Sequence, residues 1–118
     1  MATILKRMQK AYLEAVIFTE CDGDDQPSDA EFSESAKLQA HADCRNLAWA
    51  NDDIITGDNC EQAAHDLWLT RNGHGAGFWD RDADTYGGAS QNNILTRCAK
   101  SMGPCDMYQG DDGLLYFA

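Results

Sequence analysis

The amino-acid sequence predicts an α+β fold in which about four helices precede a small antiparallel sheet or hairpin near the C-terminal end. Two patterns carry this expectation. Apolar residues recur every three or four positions in four separate segments, the period of a helix buried along one face. The last dozen residues instead form two short β-rich runs around a Gly/Asp turn. With 118 residues, of which 43% are hydrophobic and 25% charged, the chain has material for one core and reads as a single acidic globular domain over 1–118.

The first helix is expected over residues 3 to 19, where Ile4, Leu5, Met8, Tyr12, Ala15, Val16 and Thr19 fall on one side and Lys6, Lys10 and Glu14 lie between them. The run Cys21-Asp22-Gly23-Asp24-Asp25-Gln26-Pro27 has no periodicity and reads as a loop. Ser28-Asp29-Ala30-Glu31 matches a capping box, so a second helix is expected from there to about Ala50, burying Phe32, Ala36, Gln39 or Ala40, Cys44, Leu47 and Ala48. Asp58 is the expected cap of a third helix carrying Ala64, Leu67 and Trp68 and stopped by Asn72-Gly73. Ser90 is the expected cap of a fourth, carrying Ile94, Leu95, Cys98 and Met102 and ended by Gly103-Pro104. Asp106 to Gln109 and Leu114 to Phe117 form the hairpin. A lone hairpin is marginal in water, so it needs helices or another strand, for which Gly77-Phe78-Trp79 is the candidate.

Charge is the unusual quantity. The formal net charge is −11, and it is local: residues 1–19 carry +2, residues 20–66 carry −11 and residues 67–118 carry −2. An excess of this size argues against direct binding of nucleic acid, which relies on cations that neutralise phosphates. No apolar run approaches the roughly 20 residues that span a bilayer, and Lys6, Arg7 and Lys10 precede no uninterrupted hydrophobic stretch, so a membrane span and a secretory signal are not expected and the cytoplasm is the expected location. The five cysteines, Cys21, Cys44, Cys60, Cys98 and Cys105, contain no C-x-x-C pair and are expected to be free and mostly buried.

The chemistry-bearing motifs are weak. Trp68 to Arg81 packs glycines, a histidine, two tryptophans and two arginines together, but the glycines follow a helix rather than a strand and match neither nucleotide-binding pattern. The structural expectation is that the glycines allow positive φ or close backbone approach while Trp68, Phe78 and Trp79 enter the core. His41, His65 and His74 lack H-x-x-x-H spacing. The aspartates of 22–25 and 80–84 suggest calcium, yet the run from Asp80 lacks the turn glycine and has Gln91 at the twelfth position. No metal, no cofactor and no catalytic residue is expected.

The blocks WLTRNGHGAGFWDRD at 68–82 and CDMYQGDDGLLYF at 105–117 resemble a group of small proteins encoded by tailed bacteriophages. The resemblance covers the last half of the chain. Among phage proteins of this kind it suggests a small acidic inhibitor of host DNA gyrase that acts as a DNA mimic.

Duplex DNA shows about one negative charge per 1.7 Å of axis, so carboxylates aligned on one protein face can occupy a channel lined with lysine and arginine. A helix over 29–50 would be roughly 33 Å long. The acids expected to bind such a partner are Asp22, Asp24, Asp25, Asp29, Glu31 and Glu34 at its start, Asp52 and Asp53 at its end, and Asp58 and Glu61 at the next cap. The expectation is therefore an inhibitor of a host DNA-processing enzyme, gyrase first, with no membrane or nucleic acid as partner; a two-fold homodimer would match a two-fold channel. The alternatives are a phage interaction or structural protein whose acidity serves solubility, and a small enzyme with a site near His74 and Arg71.

Overall fold

The computed structural model describes residues 2–20, 31–74 and 76–118. Helix α1 spans Ala2–Glu20, α2 Glu34–Ala50, α3 Cys60–Arg71, α4 Ala83–Tyr86 and α5 Ala89–Ser101, with a single 3₁₀ turn at Phe78–Asp80 and two strands, β1 Met107–Gln109 and β2 Leu115–Phe117. This is an α+β arrangement of four longer helices, one short one and a C-terminal antiparallel pair. No helix among the described residues is long and apolar enough to cross a membrane.

α1 forms as its periodicity predicts and buries Leu5, Met8, Tyr12, Ala15 and Val16 against α2 and α3. Trp68 of α3 is fully buried at the centre. Its indole N–H donates to Thr19 Oγ1 at 2.7 Å, which supplies the acceptor that a buried tryptophan requires. Tyr12 meets Trp68 edge to face at 5.5 Å, and Phe117 of β2 lies 5.7 Å from Trp68 and 5.9 Å from Phe32. The hairpin is thus held by an aromatic cluster that also joins α1 to α3.

The start of α2 departs from expectation. The helix begins at Glu34, capped by Ser33, whose hydroxyl accepts from the Ala36 N–H at 3.1 Å. Glu31 precedes the helix instead of closing a capping box; Ser28, Asp29 and Ala30 lie outside the described residues. Tertiary pairing is the reason. The Leu115 N–H donates to the Glu31 carbonyl and the Ser33 N–H to the Leu115 carbonyl, so Phe32 forms a parallel bridge with β2. Residues 31–33 therefore extend the edge of the sheet, the role expected of Gly77-Phe78-Trp79. That segment is a 3₁₀ turn with Phe78 buried on Tyr86 at 5.4 Å and Trp79 41% exposed, not a strand and only half in the core.

Two caps differ as well. Asp58 is exposed and does not cap α3. Asn59 stands there, and its amide donates to the carbonyls of Ile54 and Thr85 while its oxygen accepts from the Thr56 N–H. A carboxylate cannot make those donations, which explains why asparagine holds this turn. Gly88 rather than Ser90 occupies the cap position of α5, with φ at +136°, while the end of that helix follows expectation: Gly103 closes it at φ +76° before Pro104. The described thiols are free, with Cys44, Cys60 and Cys105 buried and Cys98 half-buried; Cys21 lies outside the described residues.

The glycines of the 68–81 block act structurally where they are described. Gly73 takes φ +70° at the end of α3. Gly77 is extended, but a Cβ there would run into Thr70 Oγ1 and come within 2.6 Å of the Trp79 ring. Thr70 Oγ1 meanwhile accepts from the Phe78 N–H, so the approach is tight by construction. Gly77→Ala is expected to destabilise the fold by about 1–3 kcal/mol, read as a lower midpoint in chemical denaturation; an unchanged midpoint would contradict this packing.

Candidate functional site

Two carboxylates of the acidic middle segment are not on the surface. Asp43 of α2 accepts from Arg71 Nη1 at 2.7 Å and from Gln39 at 2.9 Å, with the Arg71 and Asp43 side chains only 6% and 9% exposed. Arg71 also donates to the Tyr12 hydroxyl at 3.1 Å and to the carbonyls of Gly103 and Met102 at 2.8 and 3.2 Å. One guanidinium thus ties α1, α2, α3 and the turn after α5. Arg71 is committed to these partners as part of the framework.

Asp66 of α3 is fully buried and accepts a two-pronged contact from Arg81 at 2.9 and 2.7 Å, together with bonds from the Tyr86 hydroxyl at 2.8 Å and Gln62 at 3.0 Å. Bidentate geometry with every lone pair engaged offsets the cost of burying charge. The hydrogen bond to Asp66 raises Arg81 above its ordinary pKa. Trp68, Arg71, Phe78 and Arg81 are therefore framework residues. The aspartates at alternate positions after Asp80 have a local role too, since the Asp82 carboxylate caps α4 by accepting from the Asp84 N–H.

A cleft of about 320 Å³ opens beside the first pair, lined by Ser35, Gln39, Asp43, Arg71, Cys105 and Phe117 among others. Burial, then the nearby Asp43 charge, outweighs Arg71 and raises the Cys105 thiol, a setting unsuited to a nucleophilic thiolate. Among the described residues, no group of three His, Cys, Asp or Glu side chains is arranged to hold a metal ion.

Six acids between residues 31 and 61 face water. Glu31, Glu34, Asp52, Asp53, Asp58 and Glu61 are all exposed. Glu61 pairs with Arg7 at 2.9 Å and Glu34 with Lys37 at 3.5 Å, whereas Glu31, Asp52, Asp53 and Asp58 have no ion pair among the described residues. Asp22, Asp24, Asp25 and Asp29 lie outside the described residues. The structure therefore gathers exposed carboxylates at the two ends of α2 and in the connection to α3. It does not continue them along α2, which at 17 residues is about 25 Å long rather than 33 Å. Between its ends the sole acid, Asp43, is buried, and the outward positions include Leu38 at 69% and Trp49 at 60% exposure. Sequence patterning did not isolate those two exposed residues, although Leu38 falls off the buried stripe. Comparison of the chain with protein-family models, with curated proteins and with solved structures finds no match.

Breaking the first pair should be far more damaging than breaking a surface pair. Arg71→Met leaves Asp43 buried without its counter-ion and is expected to cost about 3–5 kcal/mol in equilibrium unfolding. Adding Asp43→Leu should recover much of that loss, and Glu61→Gln should leave the transition in place. Tyr12 and Tyr86 give a pH test. Burial raises both phenols far above the ordinary value, reinforced at Tyr86 by the Asp66 carboxylate and opposed at Tyr12 by Arg71. The unfolded chain releases these protons near pH 10 and the folded chain holds them, so stability is full below about pH 10 and falls as pH rises above it. Tyrosinate absorbance from these two residues should appear only as helical circular dichroism is lost; ionisation of all four tyrosines near pH 10 with helicity intact would contradict the packing.

Proposed function

We propose that this protein is a non-catalytic acidic inhibitor that competes electrostatically with DNA for the basic channel of a host DNA-processing enzyme, with DNA gyrase the first target to test. The observation that carries this reading is the fate of the charge. Buried Asp43 and Asp66 are neutralised by Arg71 and Arg81. Among the described residues the other acids of the middle segment are exposed, with Glu31 and Glu34 at one end of α2 and Asp52, Asp53 and Asp58 at the other. Such a surface steers association with a lysine- and arginine-rich channel and repels nucleic acid itself. With charge in clusters about 25 Å apart, the competition is one of potential at separated points, not a phosphate-by-phosphate copy of the duplex.

The purified protein is expected to inhibit gyrase supercoiling, with inhibition weakening as salt rises. Combined Glu31→Gln, Glu34→Gln, Asp52→Asn and Asp53→Asn substitutions should weaken it about tenfold or more, with circular dichroism unchanged, and His74→Ala should have no effect. Absence of inhibition at low salt, or full inhibition by the neutralised variant, would overturn the proposal; the second result would leave the acids with a role in solubility.

A further inference from the structure

Leu38, Ala42, Arg45 and Trp49 recur at intervals of four, three and four residues, which places them in one row along α2. Leu38 and Trp49 are mostly exposed, and Ala42 and Arg45 are partly so. The Arg45 guanidinium sits 5.3 Å from the centre of the Trp49 ring and holds that side chain over the helix surface. The two large apolar anchors are roughly 16 Å apart along the helix axis. An exposed tryptophan and leucine in register, on a helix whose other face is packed on α1, form a seam of the kind that helices use to dock on one another.

The charge around the seam restricts what can cover it. Both ends carry a net negative charge: Glu31 and Glu34, with Lys37 against Glu34, before it, and Asp52 and Asp53 after it. A second copy of this chain is disfavoured in either orientation. Pairing Leu38 with Trp49 antiparallel brings Glu34 opposite Asp53, and parallel pairing stacks each acidic end on itself. Nucleic acid and anionic lipid surfaces meet the same repulsion. We infer that the outer face of α2 docks an amphipathic helix of a basic partner protein, with apolar residues at three- and four-residue spacing and lysine or arginine at both ends. This inference rests on the reading of an acidic inhibitor above and specifies the element of the partner that is bound: the basic ends of the helix meet the two carboxylate clusters, and its apolar stripe covers Leu38 and Trp49.

The full-length protein can be titrated with three synthetic peptides: a helix with an i, i+4, i+7, i+11 leucine stripe and lysines at both ends, the same stripe flanked by glutamates, and a scrambled peptide of the first composition. The lysine-flanked helix is expected to bind best. Leu38→Ala with Trp49→Ala, both exposed positions, should weaken it about tenfold or more, and neutralising Glu31, Glu34, Asp52 and Asp53 should reduce its salt dependence. Equal binding of the scrambled peptide, or no effect of the double alanine variant, would overturn the seam while leaving the acidic-surface reading in place. Equal binding of the glutamate-flanked helix would overturn the basic-partner assignment. Supercoiling inhibition that survives the double alanine variant unchanged would exclude the seam from that activity, whereas loss of inhibition in the acid-neutralised variant alone would trace it to charge.

Discussion

A guanidinium in a protein interior demands acceptors, and Arg71 of α3 finds four of them on three other parts of the chain. Asp43 comes from α2, the Tyr12 hydroxyl from α1, and the carbonyls of Met102 and Gly103 from the turn after α5. Each acceptor must arrive within hydrogen-bond distance in the plane of the guanidinium fork, so the helices cannot slide or rotate independently. With Asp43 turned inward to meet Arg71, the opposite side of α2 faces outward, which is why Leu38 and Trp49 are exposed. The surface reading follows from this interior contact.

The second pair extends the same logic to the rest of α3. Arg81 reaches back across the 3₁₀ turn to Asp66, and Tyr86 of α4 and Gln62 fill its remaining lone pairs. Gly77 permits this return because nothing larger fits between Thr70 and Trp79. Trp68, Arg71, Phe78 and Arg81, in the block that looks richest in chemistry, are therefore occupied in joining α3 to its neighbours. Each buried pair carries no net charge, so Asp43 and Asp66 add nothing to the negative potential at the surface.

Much of the architecture was legible. The stripe of α1, the stop at Asn72-Gly73, the Gly103-Pro104 terminus and the hairpin around Gly110 to Gly113 all follow from local rules. The errors occurred where distant residues intervened. Ser28 and Ser33 are both acceptable caps by composition, and hydrogen bonds exchanged with Leu115 hold residues 31–33 on the sheet and leave Ser33 as the cap of a helix that starts at Glu34. Asp58 and Asn59 are equally good caps on paper, but the turn needed an amide that could donate to Ile54 and Thr85. Of the acids expected to face a partner, Asp52, Asp53, Asp58 and Glu61 are exposed because they sit in or beside a turn, a property readable from neighbouring residues alone.

Helix number, hairpin position and the excess of negative charge were thus decided by residues within a turn or two of one another, since backbone periodicity, turn chemistry and composition are local quantities. Which carboxylates are buried, and which apolar side chains of α2 stay outside the core, depended on contacts between residues distant in sequence. Asp43 and Arg71 are 28 positions apart and Glu31 and Leu115 farther still. Only when the helices close around that guanidinium does α2 acquire an inside, and with it an exposed seam bounded by acids.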